Sequence, residues 1–236
     1  MSDQKSSLNE STLNTGASAT QRVFQELRSL IIRADIAPGE RLKVESLKVL
    51  LNTGASPIRE ALSLLTSDQL VERIDQRGFR AAPAGEAHFR EILMLRCQLE
   101  GIALRASIAA GNNEWEERAV LGHHRLAKVS RNDIDHWETL HKEFHRSLLT
   151  ACGSPILLRF CDQLYDLNIR YRFLAGKSGR YGNRDVVQEH ADILQAVLDR
   201  DADSAVEKLT THYEHTGEFL ADQASFDSIK SKSTSK

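Results

Sequence analysis

The chain has 236 residues, 41% of them hydrophobic and 27% charged, with a formal net charge of −2. That is enough apolar material for the cores of two small domains, and too little charge for bulk attraction to nucleic acid. No 18-residue apolar run and no basic-then-apolar N-terminus occur, so neither a membrane span nor a secretory signal is expected. Cys97, Cys152 and Cys161 are odd in number and lack CxxC spacing, which reads as reduced, buried thiols of a cytoplasmic protein.

The charge is unevenly spread. Residues 20–83 carry 10 Lys/Arg against 8 Asp/Glu, and residues 84–222 carry 17 against 22. A DNA contact in the first segment must therefore rest on placed side chains. Residues 1–19 and 223–236 are rich in small polar residues and read as disordered tails.

From Thr20, Val23, Leu27, Leu30, Ile31 and Ala34 recur at helical spacing, predicting a helix to about Arg33. Ala37-Pro38-Gly39-Glu40 has the composition of a turn, and a short helix follows over Val44 to Leu51 with Leu47, Leu50 and Leu51 inward. Asn52-Thr53-Gly54 breaks it. Ser56 then reads as an N-cap with Pro57 at the first helical position, and Ile58, Ala61, Leu62 and Leu65 form the buried stripe. Arg59 lies off that stripe. Two short helices across so tight a turn form a helix-turn-helix. Leu70 to Ile74, Asp75-Gln76-Arg77-Gly78 and Phe79 to Ala82 then make a hairpin, the wing, whose Arg73, Arg77 and Arg80 suit phosphate or minor-groove contact.

Residues 20–83 resemble the DNA-binding domain of the GntR family of bacterial transcription regulators. The resemblance is carried by Ala37-Pro38-Gly39-Glu40-Arg41-Leu42, Ser56-Pro57-Ile58-Arg59-Glu60-Ala61-Leu62, Leu70-Val71-Glu72 and Arg77-Gly78. It implies DNA contact by Ser56 and Arg59 on the reading helix, by Arg77 and Gly78 at the wing tip, and by Lys43 and Ser46. The family usually places arginines where this chain has Glu45 and Ala55.

After Pro83-Ala84-Gly85, the periodicity predicts six helices, near 86–110, 113–129, 132–152, 155–175, 183–200 and 202–222, forming an antiparallel bundle. The expected fold is thus mainly α: an N-terminal winged helix-turn-helix over 20–83 and a C-terminal six-helix bundle over 84–222. His141 and His145 are four apart on one face and can grip one ion. His190 and His212 can converge on it in a helical hairpin, with His215 one turn beyond. His88, His123, His124 and His136 show no such pattern and read as surface residues.

This second segment resembles the all-helical effector-binding FCD domain of the fatty-acid-regulator (FadR) subfamily. The matching pieces are Arg96-Cys97-Gln98-Leu99-Glu100, His141-Lys142-Glu143-Phe144-His145, Glu189-His190, and Arg200-Asp201-Ala202-Asp203 leading to His212. Many members bind a divalent metal through one Asp and three His. Here His141 stands at the Asp position, so the implied ligands are His141, His145, His190 and His212. Four imidazoles favour zinc or nickel over manganese-like ions.

The resemblance also implies a small carboxylate effector gripped by Arg96, a homodimer and a palindromic double-stranded DNA operator. Two other readings stay open. One is a metal-dependent helical enzyme with Glu143 or Glu189 as general base. The other is a regulator whose histidines and Arg96 grip an anion without metal.

Overall fold

The computed structural model describes residues 14–131, 133–174 and 185–223. Most of both expected tails, and positions 183 and 184, lie outside them. The chain divides into two compact units, the first ending at Gly85 and the second beginning at Glu86.

In the first unit, α1 (Asn14–Ile32) starts six residues before Thr20 and buries Val23, Leu27 and Ile31 completely. Ala34 and Gly39, with φ of 59° and 76°, turn the chain through the expected Ala37–Glu40 turn. β1 (Arg41–Leu42) follows, a two-residue strand that the sequence does not announce. It pairs with β3 (Gly78–Ala81), which pairs with β2 (Val71–Ile74), giving an antiparallel sheet of order β1-β3-β2.

Between β1 and β2 lie α2 (Val44–Leu50) and α3 (Ala55–Ser67). Asn52, at φ 44°, makes the tight corner between them. α3 buries Ile58, Ala61, Leu62 and Leu65 entirely, the stripe expected from their spacing.

The start of α3 differs from expectation. Gly54 is the N-cap and makes no side-chain cap bond, so Ser56 is the second helical residue and Pro57 the third. Pro57 is tolerated there because first-turn amides have no intrahelical acceptor. The Ser56 hydroxyl instead donates to Glu60 Oε1 at 3.1 Å, and Thr20 Oγ1 donates to Glu60 Oε2 at 2.8 Å.

The second unit comprises α4 (Glu86–Ala110), α5 (Asn113–Ala127), α6 (Ile134–Leu149), α7 (Pro155–Leu174), α8 (Val186–Leu198) and α9 (Ala202–Gln223). Three of them begin at side-chain caps: Asn112, Asp133 and Asp185 accept from the amides of Trp115, His136 and Gln188. Such caps satisfy amides that the helix leaves open. Gly111 is needed where it stands, since a Cβ there would lie 2.1 Å from the Trp115 ring.

The core holds Leu104, Trp115, Phe144, Leu148, Ile193 and Val197. α4 packs against α7 and α9, α5 against α6 and α8, and α8 against α9. One end of that core is polar. Among the described residues no helix is long and apolar enough to cross a membrane.

Candidate metal centre and nucleic-acid interface

The polar end of the bundle core contains His141 and His145 on α6, His190 on α8 and His212 on α9, each at most 3% exposed. Their potential ligand atoms all lie within 4.8 Å of one another. His145 Nε2 is 3.1 Å from His141 Nε2 and 3.3 Å from His190 Nε2. Nitrogens about 2.0–2.1 Å from a tetrahedral ion sit roughly 3.3 Å apart, so the donor set fits one ion.

The outer nitrogens are also engaged. His141 Nδ1 lies 2.7 Å from Tyr165 Oη, and His145 Nδ1 lies 3.0 Å from Tyr213 Oη. His212 Nδ1 lies 2.7 Å from Glu189 Oε2. Partners of this kind hold imidazole rings in place around a metal. Burial, followed by neighbouring imidazoles and arginines, holds His141, His145 and His190 well below the ordinary histidine pKa. They stay neutral at physiological pH, as ligands must.

Arg96 on α4 is 2% exposed. Its Nε donates to Glu100 Oε1 at 2.7 Å and its Nη1 to Asn168 Oδ1 at 2.9 Å. The guanidinium lies over the Tyr213 ring at 4.1 Å and the Tyr165 ring at 5.0 Å. Desolvation alone would lower the Arg96 pKa, but Glu100 and Tyr213 outweigh it and the net direction is upward. Nη2 is buried without a hydrogen-bond partner. An orphan donor on a buried cation is costly, and a carboxylate oxygen would relieve it.

Arg172 Nη2 donates to Glu138 Oε2 at 2.6 Å and stands 3.3 Å from His141 Nδ1. A narrow cleft is lined by Glu100, His145 and Tyr165 and by the more exposed Lys142, Arg146 and Asp162.

Sequence reasoning named Arg96 and the four histidines, and the structure gathers the histidines into one cluster. It did not find Tyr165, Asn168, Arg172 or Tyr213, whose types and spacings carry no motif. Two of the supposed surface histidines are part-buried. His88 Nδ1 lies 2.8 Å from Tyr171 Oη, and the His123 ring sits 5.5 Å from Phe144. The cysteines are free, and burial pushes the Cys97 and Cys161 thiols up to about 11 and about 12, against nucleophilic use.

In the first unit, Lys43, Ser46, Ser56, Arg59, Arg77 and Gly78 are all exposed, spread over the start of α2, the start of α3 and the β2–β3 turn. Gln76 and Gly78, at φ 57° and 88°, form that turn. Arg80 pairs across the hairpin with Glu72 at 2.6 Å, while Arg73 and Arg77 are exposed.

Residues 19–80 match the model of the bacterial regulatory proteins of the gntR family, and residues 91–215 match the FCD domain. The chain is 36% identical over 204 residues to the HTH-type transcriptional regulator BphR of Paraburkholderia xenovorans strain LB400, covering 84% of this chain and 83% of that one. The chain belongs to the GntR family.

A second GntR-type relative, the transcriptional repressor GlaR of Escherichia coli K12, is 32% identical over 197 residues, covering 80% of this chain and 90% of its own. McbR/YncC of E. coli shares the fold, with a TM-score of 0.72 at 19% identity over 87% of this chain and 98% of that one. The chain is therefore a GntR-family transcriptional regulator with an FCD effector-binding domain. Of the two general-base candidates, Glu143 is exposed, and Glu189 accepts from His212.

Proposed function

We propose that this GntR regulator, of the FadR subfamily type, binds a palindromic operator as a homodimer and senses a small carboxylate at a divalent metal held by His141, His145, His190 and His212. One observation carries the reading: four buried imidazoles with converging nitrogens share their end of the core with Arg96, a buried cation with an orphan Nη2. Four imidazoles add no negative charge to a divalent ion, and the site therefore favours an anion. Zinc or nickel suits such a nitrogen set. Bound there, the ion supplies a Lewis-acidic position for a carboxylate oxygen. Arg96 supplies a charge-assisted hydrogen bond to the other oxygen, and Glu100 and Asn168 fix its fork. Coupling to DNA follows if the anion prefers one arrangement of the dimer.

A dimer is needed because one reading helix covers too few bases for genomic specificity. Lys43, Ser46, Ser56, Arg59, Arg77 and Gly78 carry the DNA contact in this reading.

Elemental analysis of purified protein, repeated with His145→Ala and His190→Ala, tests the centre: near-stoichiometric zinc or nickel is expected, lost in both variants. A metal-free wild type rejects it in favour of a bare anion pocket. A thermal-shift screen of small carboxylic acids against wild type and Arg96→Met tests the effector class, and a mobility-shift titration with the DNA upstream of its own gene tests the operator.

A further inference from the structure

The hydrogen-bond inventory sorts three of the four histidines into two kinds. Arginine only donates, and an ionised carboxylate only accepts. Glu100 Oε1 accepts from Arg96, and its Oε2 accepts from Tyr213 Oη at 2.5 Å. The single proton of Tyr213 is thereby committed, and its oxygen accepts from His145 Nδ1. His145 therefore turns an Nε2 lone pair inward. His212 does the same, because Glu189 Oε2 accepts from its Nδ1.

His141 faces the opposite chemistry. Arg172 Nη2 gives one proton to Glu138 Oε2 at 2.6 Å, and its other is shared between Tyr165 Oη at 3.2 Å and His141 Nδ1 at 3.3 Å. With its oxygen accepting from Arg172, Tyr165 gives its proton to His141 Nδ1. His141 then carries its own proton on Nε2 and donates to His145 Nε2 at 3.1 Å. His190 Nε2 stands 3.3 Å from the same nitrogen, but among the described residues no guanidinium is hydrogen-bonded to its Nδ1, so its proton is free to move there. The bonds run one way, from Arg172 through Tyr165, His141, His145 and Tyr213 to Glu100. To become a ligand, His141 must move its proton to Nδ1, against a guanidinium.

We propose that His145, His190 and His212 hold the ion and that His141 is a replaceable neighbour. The fourth coordination position then passes to an anion that also reaches Arg96 Nη2. The proposal rests on the metal reading above and changes its ligand set from four to three. The histidine in the family's carboxylate position keeps the coordination sphere open instead of closing it.

The test is zinc affinity by chelator competition in His141→Ala, His145→Ala and His212→Ala. His145→Ala and His212→Ala are expected to lose more than about 100-fold, beyond what an outer partner alone costs, and His141→Ala less than about 5-fold. A His141→Ala loss equal to that of His145→Ala overturns the proposal while leaving the metal centre standing. A wild type that binds no zinc instead removes the centre itself.

Imidazole ¹⁵N shifts of the metal-stripped wild type need no variant. They are expected to show His145 protonated at Nδ1 and His141 at Nε2. His141 protonated at Nδ1 overturns the proposal even if every variant misfolds. Arg172→Met removes the opposing guanidinium, so zinc binding in that background should become sensitive to His141→Ala.

Discussion

The two units use charge in opposite ways. In the reading head, Lys43, Arg59 and Arg77 are exposed, and Arg80 is spent on Glu72 in a pair whose side chains are 43% and 41% exposed. In the bundle, Arg96 and Glu100 form a pair only 3% exposed at either end, beside four buried imidazoles. Exposed charge is screened and cheap, and it suits a long polyanion met at many weak points. Buried charge is desolvated and must be satisfied in full, and it suits one small anion met at a few strong points. The contrast predicts that equivalent substitutions have very unequal consequences in the two units.

The sharpest comparison is between two glutamates. Glu100→Ala leaves Arg96 buried without its carboxylate and should destabilise the second unit by about 3–5 kcal/mol. Glu72→Ala breaks an exposed pair and should cost less than about 1 kcal/mol. Urea unfolding of the two variants checks this. Equal losses would dissolve the distinction between the units.

Acid should act on the bundle before the head. His141, His145 and His190 have folded pKa values pushed well below 6.5 by burial. Below 6.5 the unfolded chain takes up protons that the folded chain refuses. Their contribution is thus complete above about pH 6.5 and falls as the pH drops from there, by up to about 1.4 kcal/mol per pH unit for each group. Thermal melts of metal-stripped protein between pH 7.5 and 5 should show it. Saturating zinc should hold the melting temperature up, because the ion binds only the folded state and competes with protons. A melting temperature flat across that range contradicts neutral buried imidazoles.

The head should respond through DNA and not through stability. Arg59→Ala is expected to weaken operator binding by about 1–3 kcal/mol and relax specificity at one base position if Arg59 reads a base edge. Arg77→Ala is expected to weaken all sequences alike and to lower the salt slope by about one. Neither should move the melting temperature measurably. Binding titrations at several salt concentrations separate the two roles.

Periodic features were legible in the sequence, and those made by distant contacts were not. The α3 stripe and the six bundle helices follow from apolar spacing, and the His141–His145 pair from a four-residue step. β1 has two residues, too few to show a period, and exists only through its pairing with β3. A helical hairpin can bring His190 and His212 near each other, but their assignment as ligands comes from resemblance, since two helices can place such residues together or apart. Tyr213 meets Glu100 and His145 across separations of 113 and 68 residues, and no local pattern encodes those meetings. The partner set that distinguishes His141 from His145 lies wholly in this second class, so the metal chemistry is finer than its motif.

The smallest expected effect decides how the reading helix begins. A capping serine replaced by alanine costs about 1 kcal/mol, because an end amide loses its acceptor. Gly54 holds the cap position with φ −77° and ψ 168°, and no side chain completes it. The Ser56 hydroxyl bonds Glu60, a contact between exposed groups. Ser56→Ala should therefore cost only a few tenths of a kcal/mol, as exposed substitutions away from caps usually do. A measured loss near 1 kcal/mol would restore Ser56 as the cap and shift the register of α3. If stability barely changes while operator affinity falls, the hydroxyl serves the DNA and not the helix, which is the separation of roles expected of an exposed face.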